Sequence, residues 1–200
     1  MKPPTVSLTA FDPGVKWTGW AFCALGNGHH FLSWGTIQAT ESGPMTEKIR
    51  DWLAFSRLQF KKEEFEGAPD TCYLPQYSSV IACEKSFPPQ GNAVYAPNFE
   101  RTAEVRGVIK SFVRPGVQYF ELTAQQVRSV LKVGKSPRIH ATGKMKRIRN
   151  QVVGMGADAR VKRALCALTG IAEEQFKDSH QVDAVALAYC VCSRLGIDWR

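Results

Sequence analysis

Apolar and polar residues alternate with a period of two in the first 40 residues, a pattern typical of β-strands. It predicts strands over Val6–Phe11, Trp17–Ala24 and His29–Gln38. Asp12-Pro13-Gly14 is a turn signature after the first strand, and Gly26-Asn27-Gly28 is a hairpin signal between the other two. The pattern therefore predicts three antiparallel strands at the N-terminus.

Beyond residue 40, helical and strand patterns alternate. Short apolar runs predict strands over Ser79–Glu84 and Val117–Leu122. Apolar positions three or four residues apart predict five helices, over Thr46–Phe60, Phe99–Val113, Ala124–Leu131, Asp158–Leu168 and Asp178–Leu195. Residues 61–77, 87–97 and 132–157 are rich in proline, glycine or polar residues, and we predict loops there.

Two details of these helices can be checked against a structure. The expected N-cap residues are Thr123, Asp158 and either Asp178 or Ser179. The expected buried stripe of the second helix consists of Phe99, Ala103, the stem of Arg106, Ile109 and Val113. A strand meander followed by alternating helices and strands indicates a single α/β domain over residues 1–200, with a mixed sheet flanked by helices.

Positive charge is concentrated in one part of the chain. The net charge is +8 and the pI about 9.3, which favours a polyanionic partner. No acidic residue lies between Glu121 and Asp158. That interval holds eight basic residues, namely Arg128, Lys132, Lys135, Arg138, Lys144, Lys146, Arg147 and Arg149. We predict that the loop 132–157 contacts nucleic acid, the alternative being a solvated surface loop.

The remaining composition indicates an ordinary globular protein. The six cysteines are scattered, without the spacing of a zinc site, and are expected to be reduced thiols, mostly in the core. No apolar run is long enough to span a bilayer, and the apolar stretch near the N-terminus is too short for a signal peptide. We therefore expect a cytoplasmic, nucleoid-associated protein with no membrane contact.

Four residues are candidates for chemistry. Asp12 and Glu84 end predicted strands, while His180 and Asp183 lie three apart in the first turn of the last helix. If the two strands are neighbours, their carboxyl ends meet at one edge and the helix can add its two side chains. Such a cluster binds hard divalent cations, and two ions would suit hydrolysis of a phosphodiester. Taken singly, each residue could equally be a turn, surface or capping residue.

Sequence blocks in a fixed order resemble the RuvC resolvases, ribonuclease H-like nucleases that cut four-way (Holliday) DNA junctions. The blocks are TAFDPGVKWTGWAF, VIACEKSF, RTAEVRGVI, FELTAQQVRSVL and DSHQVDAVALAYC. Asp-Pro-Gly alone is a weak signal, but the ordered blocks extend over nearly the whole chain. The basic segment 132–157 looks longer than its counterpart in cellular resolvases, so no further lysine is transferred from the family.

The resemblance implies a ribonuclease H-like mixed sheet and a metal-dependent DNA endonuclease. It implies a metal site of Asp12, Glu84, Asp183 and His180, holding two Mg²⁺ or Mn²⁺ ions. It also implies base stacking by Phe87 and DNA contact by Arg128. Core filling and solvated helix surface are the respective alternatives for these two residues.

Assembly and substrate follow from the same resemblance. It implies a homodimer that nicks the junction symmetrically, with the helix Phe99–Val113 as a candidate interface or, equally, a core element. Two competing functions remain open. One is another ribonuclease H-like nuclease, acting on duplex DNA or on RNA–DNA hybrid, and the other is a non-catalytic DNA-binding module.

Overall fold

The computed structural model describes residues 6–26, 29–39, 44–56, 78–85, 96–133 and 157–199. The strands are β1 (Val6–Asp12), β2 (Trp17–Gly26), β3 (His29–Gln38), β4 (Val80–Glu84) and β5 (Gln118–Leu122). The helices are α1 (Met45–Phe55), α2 (Ala96–Ser111), α3 (Ala124–Val130), α4 (Ala157–Thr169) and α5 (Ser179–Arg194), with a 3₁₀ turn at Glu173–Gln175.

The five strands form one mixed sheet in the order β3-β2-β1-β4-β5. The pairs β1–β2 and β2–β3 are antiparallel, whereas β1–β4 and β4–β5 are parallel. This confirms the predicted fold class, an antiparallel N-terminal meander joined to parallel strands and flanked by helices. The order makes β1 and β4 neighbours at the centre of the sheet.

Helices cover both faces of the sheet. On one face, α5 packs across β1 and β2, and its buried stripe includes Val185, Leu187 and Val191. On the other face, α1 and α2 pack together over Phe11 and Ile81. The central strands are therefore buried on both sides, which explains why β4 is apolar from Val80 to Cys83 and why even Thr9 of β1 is fully buried.

Side-chain caps fix the starts of α3 and α5. Thr123 accepts a hydrogen bond from the Gln126 backbone N–H (3.1 Å), and the Gln126 side chain accepts one from the Thr123 backbone N–H (2.9 Å). This reciprocal pair is a capping box, and it confirms the predicted cap. At α5, the Asp178 side chain accepts from the Gln181 backbone N–H (2.9 Å), which decides between the two predicted cap residues.

Four details of the predicted helices were wrong. Helix α1 ends at Phe55, with Ser56 as its C-cap, and does not extend to the predicted Phe60. Helix α2 begins at Ala96, before the predicted start, because Pro97 fits the first turn of a helix, where its missing N–H is not needed. Its buried residues include Val105, which the predicted stripe omitted, while Phe99 stays partly exposed. Helix α4 begins one residue before Asp158, which therefore lies in the first turn and not at the cap.

The predicted loops at 61–77 and 134–156 lie outside the described residues, so the single-domain boundary and the loop insertion remain predictions. Five cysteines lie within the described ranges and all are free thiols, four of them buried. None of the helices in these ranges combines the length and the apolar character needed to cross a bilayer.

Candidate active site

The carboxyl ends of β1 and β4 place two carboxylates side by side. Asp12 is the last residue of β1 and Glu84 is the last residue of β4. The strands are parallel neighbours, and their last residue pair is Phe11 with Cys83. Asp12 and Glu84 each follow that pair by one residue, so both lie at the same edge of the sheet.

Strand alternation places both carboxylates on the face covered by α5. Ala10 and Ala82, two residues before Asp12 and Glu84, belong to the apolar cluster that contains the buried stripe of α5. Side chains two residues apart in a strand point to the same face. Both carboxylates therefore face the side of the sheet on which α5 begins.

His180 contacts Asp12 directly. The distance from His180 Nδ1 to Asp12 Oδ2 is 2.8 Å, and the two side chains are 34% and 15% exposed. The hydrogen bond to Asp12 is the main reason that the pKa of His180 is raised, while burial opposes the rise. The structure thus brings together two predicted site residues, Asp12 and His180, that are 168 positions apart in the chain.

Two glycines allow this close approach. A side chain at Gly19 would collide with the backbone carbonyl of His180, so the first turn of α5 rests directly on β2. A side chain at Gly14 would collide with the carbonyl of Trp17 and lie 3.8 Å from His180 Cε1. A larger residue at Gly19 would therefore push His180 away from Asp12, whereas one at Gly14 would disturb the turn before β2.

Glu84 experiences the negative charge of the other carboxylates. Burial, followed by the charges of Asp12 and Asp183, raises its pKa from 4.5 to about 8. Arg128 and His180 act in the opposite direction and lower it. All four predicted site residues therefore interact electrostatically, together with Arg128 on α3.

The donor set suits a hard divalent cation. Three carboxylates and an imidazole are ligands that Mg²⁺ and Mn²⁺ accept. The pKa of Glu84 is raised first by burial and then by the charges of Asp12 and Asp183, and a cation would compensate that negative charge. In the part of the chain that the structure describes, no three His, Cys, Asp or Glu side chains are close enough together to hold one ion. Metal binding by these residues is therefore a proposal, on the basis of their chemistry and charge.

The structure describes two of the predicted DNA-binding residues. Arg128 is exposed on α3, on the Glu84 side of the site, and Lys132 is exposed just after that helix with φ of 55°. The other predicted positions lie outside the described residues. They are Phe87, Lys135, Arg138, Lys144, Lys146, Arg147 and Arg149.

Sequence reasoning missed three interactions, one at the start of α5 and two on the opposite face of the sheet. The Thr36 hydroxyl donates to Asp178 Oδ2 (2.6 Å), which ties β3 to the start of α5. On the opposite face, Arg106 contacts Glu121 (3.7 Å), and the Tyr119 hydroxyl donates to the same carboxylate (3.2 Å). The contacts of Thr36 with Asp178 and of Arg106 with Glu121 have no local sequence signal, since both depend on which elements are neighbours.

The fold is shared with RuvC of Thermus thermophilus. Its structure in complex with a Holliday junction substrate aligns with a TM-score of 0.57 at 16% identity, over 95% of this chain and 96% of that chain. A second T. thermophilus RuvC structure aligns with a TM-score of 0.54 at 18% identity and the same coverage. No protein-family model and no curated protein matches the sequence. At this identity the comparisons establish the fold, a ribonuclease H-like mixed sheet.

Proposed function

We propose that this protein is a structure-selective endonuclease that resolves four-way DNA junctions by metal-dependent hydrolysis of phosphodiester bonds. One observation supports this most directly. Asp12 and Glu84 lie at the ends of two adjacent parallel strands, and His180 and Asp183 lie near the start of α5. His180 is hydrogen-bonded to Asp12, and the charges of Asp12, Asp183 and His180 all act on the pKa of Glu84. The fold around these residues is shared with RuvC of T. thermophilus, whose structure was solved in complex with a Holliday junction substrate.

In this proposal the four residues hold Mg²⁺ or Mn²⁺, two ions per site. Bound there, the ions supply an activated water and stabilise the leaving oxygen. The Asp12 and Glu84 carboxylates contribute the oxygen ligands from the sheet, and Asp183 adds a third from α5. His180 would add the imidazole ligand, and its hydrogen bond with Asp12 favours the protonated ring.

Basic residues would hold the DNA around this centre. Arg128 stands on the Glu84 side, where its charge is felt by that carboxylate. The segment 132–157 carries seven further positive charges and no acidic residue. Such residues bind phosphates and release counterions, which accounts for affinity more than for sequence preference. Phe87 follows β4 by three residues, and we propose that it stacks on bases at the junction.

A homodimer fits this substrate. A four-way junction has approximate two-fold symmetry, and two nicks in a symmetric arrangement require two active sites. The buried side of α2 packs on α1 and the sheet, while Arg101, Glu104 and Lys110 are exposed. A dimer contact through α2 would therefore use its polar side.

The test compares DNA substrates of the same sequence. The wild-type protein is incubated with Mg²⁺ or Mn²⁺ and a labelled four-way junction, a linear duplex or an RNA–DNA hybrid. Asp12→Asn is the inactive variant, and Asp51→Asn is its matched control, since Asp51 is exposed on α1. We expect cleavage of the junction by the wild type and the control, with loss of cleavage but retained binding in Asp12→Asn. Preference for the hybrid or the linear duplex would favour another ribonuclease H-like nuclease.

A further inference from the structure

Two large apolar side chains are exposed in the described part of the chain, Trp17 (40%) and Phe55 (78%). Phe55 is the last residue of α1 and has no relation to the candidate site. Trp17 is the first residue of β2, immediately after the turn that follows Asp12. An exposed tryptophan at this position is unusual, because its large apolar surface is normally buried.

The β2 register places Trp17 on the same face as the candidate catalytic residues. Ala21 and Cys23 of β2 belong to the apolar cluster beneath α5, and a side chain at Gly19 would meet His180. Trp17 shares the strand parity of these residues, so its indole points to the same face. Asp12 pairs with Gly19, which places Trp17 two residues beyond the last β1–β2 pair, at the open edge of the sheet.

The backbone around Trp17 is held in place. The Thr18 hydroxyl bonds to both the N–H and the carbonyl oxygen of Gly14, at 3.3 Å each. On the other side, the Ala39 backbone N–H donates to the Lys16 carbonyl oxygen (2.9 Å), and Trp17 itself pairs with Gln38 of β3. A ring on a fixed backbone loses little conformational entropy when a flat ligand stacks on it.

We infer that Trp17 is a stacking platform for an unpaired nucleobase next to the scissile phosphodiester. This inference rests on the proposed function. A DNA strand whose phosphate lies at the Asp12–Glu84 edge must pass the neighbouring surface, where Trp17 offers a flat aromatic face and Lys16, also exposed, offers a positive charge. Indole rings stack on any base, and cations beside them contact the backbone. The centre of a four-way junction is where bases can leave their stacks.

The experiment measures binding of the full-length protein without divalent metal, so that DNA is not cut. The probes are a four-way junction with 2-aminopurine at its centre, and a fully paired linear duplex of equal length. The variants are Trp17→Ala, Trp17→Phe and, as the matched exposed aromatic, Phe55→Ala. Circular dichroism and urea unfolding establish that each variant is folded.

We expect Trp17→Ala to weaken junction binding by about 5- to 20-fold, the lower part of the range for one stacked base. Duplex binding should change by less than about 2-fold, since a paired base has no free face. Trp17→Phe should retain most of the affinity, and Phe55→Ala all of it. Wild type and Trp17→Phe should change the 2-aminopurine fluorescence, and Trp17→Ala should not.

Three results would overturn the inference. The first is unchanged junction binding by Trp17→Ala, and the second is an equal loss of affinity for junction and duplex. The third is a shift of Trp17→Ala from dimer to monomer in light scattering, which would mean that a second copy of the chain covers the indole. Failure of the proposed function is distinguishable from these. A wild type that stacks on 2-aminopurine but cuts no junction would retain base stacking by Trp17 and reject the nuclease. Cutting without an effect of Trp17→Ala would retain the nuclease and reject the stacking.

Discussion

Replacing Glu84 with glutamine is expected to stabilise the metal-free protein increasingly as the pH rises. The pKa of Glu84 is about 8 in the folded protein, against an ordinary value of 4.5, because the side chain is buried beside Asp12 and Asp183. A pKa raised by folding means that the folded state binds the proton more tightly. The stability that this tighter proton binding by Glu84 contributes is complete below pH 4.5 and is lost as the pH rises through about 8. Glutamine cannot ionise and has no such loss.

The size of the effect follows from the pKa of about 8. Between about pH 6 and about pH 9, wild type loses roughly 1.36 kcal/mol for each pH unit up to that pKa, or about 3 kcal/mol in total. Since Glu84 is only partly buried, solvent screening reduces this to about 2 kcal/mol. The advantage of Glu84→Gln over wild type should therefore grow by about 2 kcal/mol over this interval.

The assay is urea unfolding in EDTA at both pH values, with free energies from linear extrapolation. Glu104→Gln is the matched control, because Glu104 is exposed on α2, away from the site. At the higher pH, Mg²⁺ or Mn²⁺ should stabilise the wild type more than Glu84→Gln, since the stabilisation by a bound ion grows with the logarithm of its affinity for the folded state. Parallel pH profiles for wild type and Glu84→Gln would refute the electrostatic description of the site.

Three further predictions concern the glycine contact, the basic segment and a helix cap. Gly19→Ala should lower stability and abolish junction cleavage because it displaces His180, whereas Gly107→Ala, with open space around it on α2, should stabilise by about 0.5–1 kcal/mol in thermal unfolding. Thr123→Ala should cost about 1 kcal/mol of unfolding free energy through loss of the capping box, with a clearly smaller cost contradicting its role. The third prediction replaces four basic residues with alanine, namely Lys144, Lys146, Arg147 and Arg149. The slope of log binding constant against log salt should fall by roughly 3.6, about 0.9 for each lost phosphate contact, and an unchanged slope would exclude these contacts.

The strands and most helix starts could be predicted because their signals are local. The alternation that ends at Gln38 predicted β3 with its observed bounds, and the polar cap residue Thr123 predicted the start of α3. Helix α2 was harder to predict, since its apolar residues form no clear stripe. The buried side of α2 is decided by contact with α1, so the burial of Val105 could not be read from spacing alone.

The candidate site was predictable in its members and not in its contacts. Strand ends and three-residue spacing identified Asp12, Glu84, His180 and Asp183 as candidates. Their convergence requires β1 to lie beside β4, and that adjacency is a property of the sheet order. The hydrogen bond of Asp12 with His180 further requires a glycine at position 19, because any side chain there would collide with the His180 carbonyl. This requirement depends on the packing of α5 on β2 and has no local sequence signal.

We propose that Asp12, Glu84, His180 and Asp183 form a site that cuts branched DNA in a symmetric manner. The most direct measurement labels each of the four strands of a synthetic junction in turn and maps the Mg²⁺-dependent nicks to single-nucleotide positions. We expect paired nicks at symmetry-related positions in two opposite strands. These nicks should be absent with Asp12→Asn and absent when the arms are supplied as linear duplex. Nicks scattered along the arms, nicks in one strand only, or cleavage that persists in Asp12→Asn would contradict this proposal.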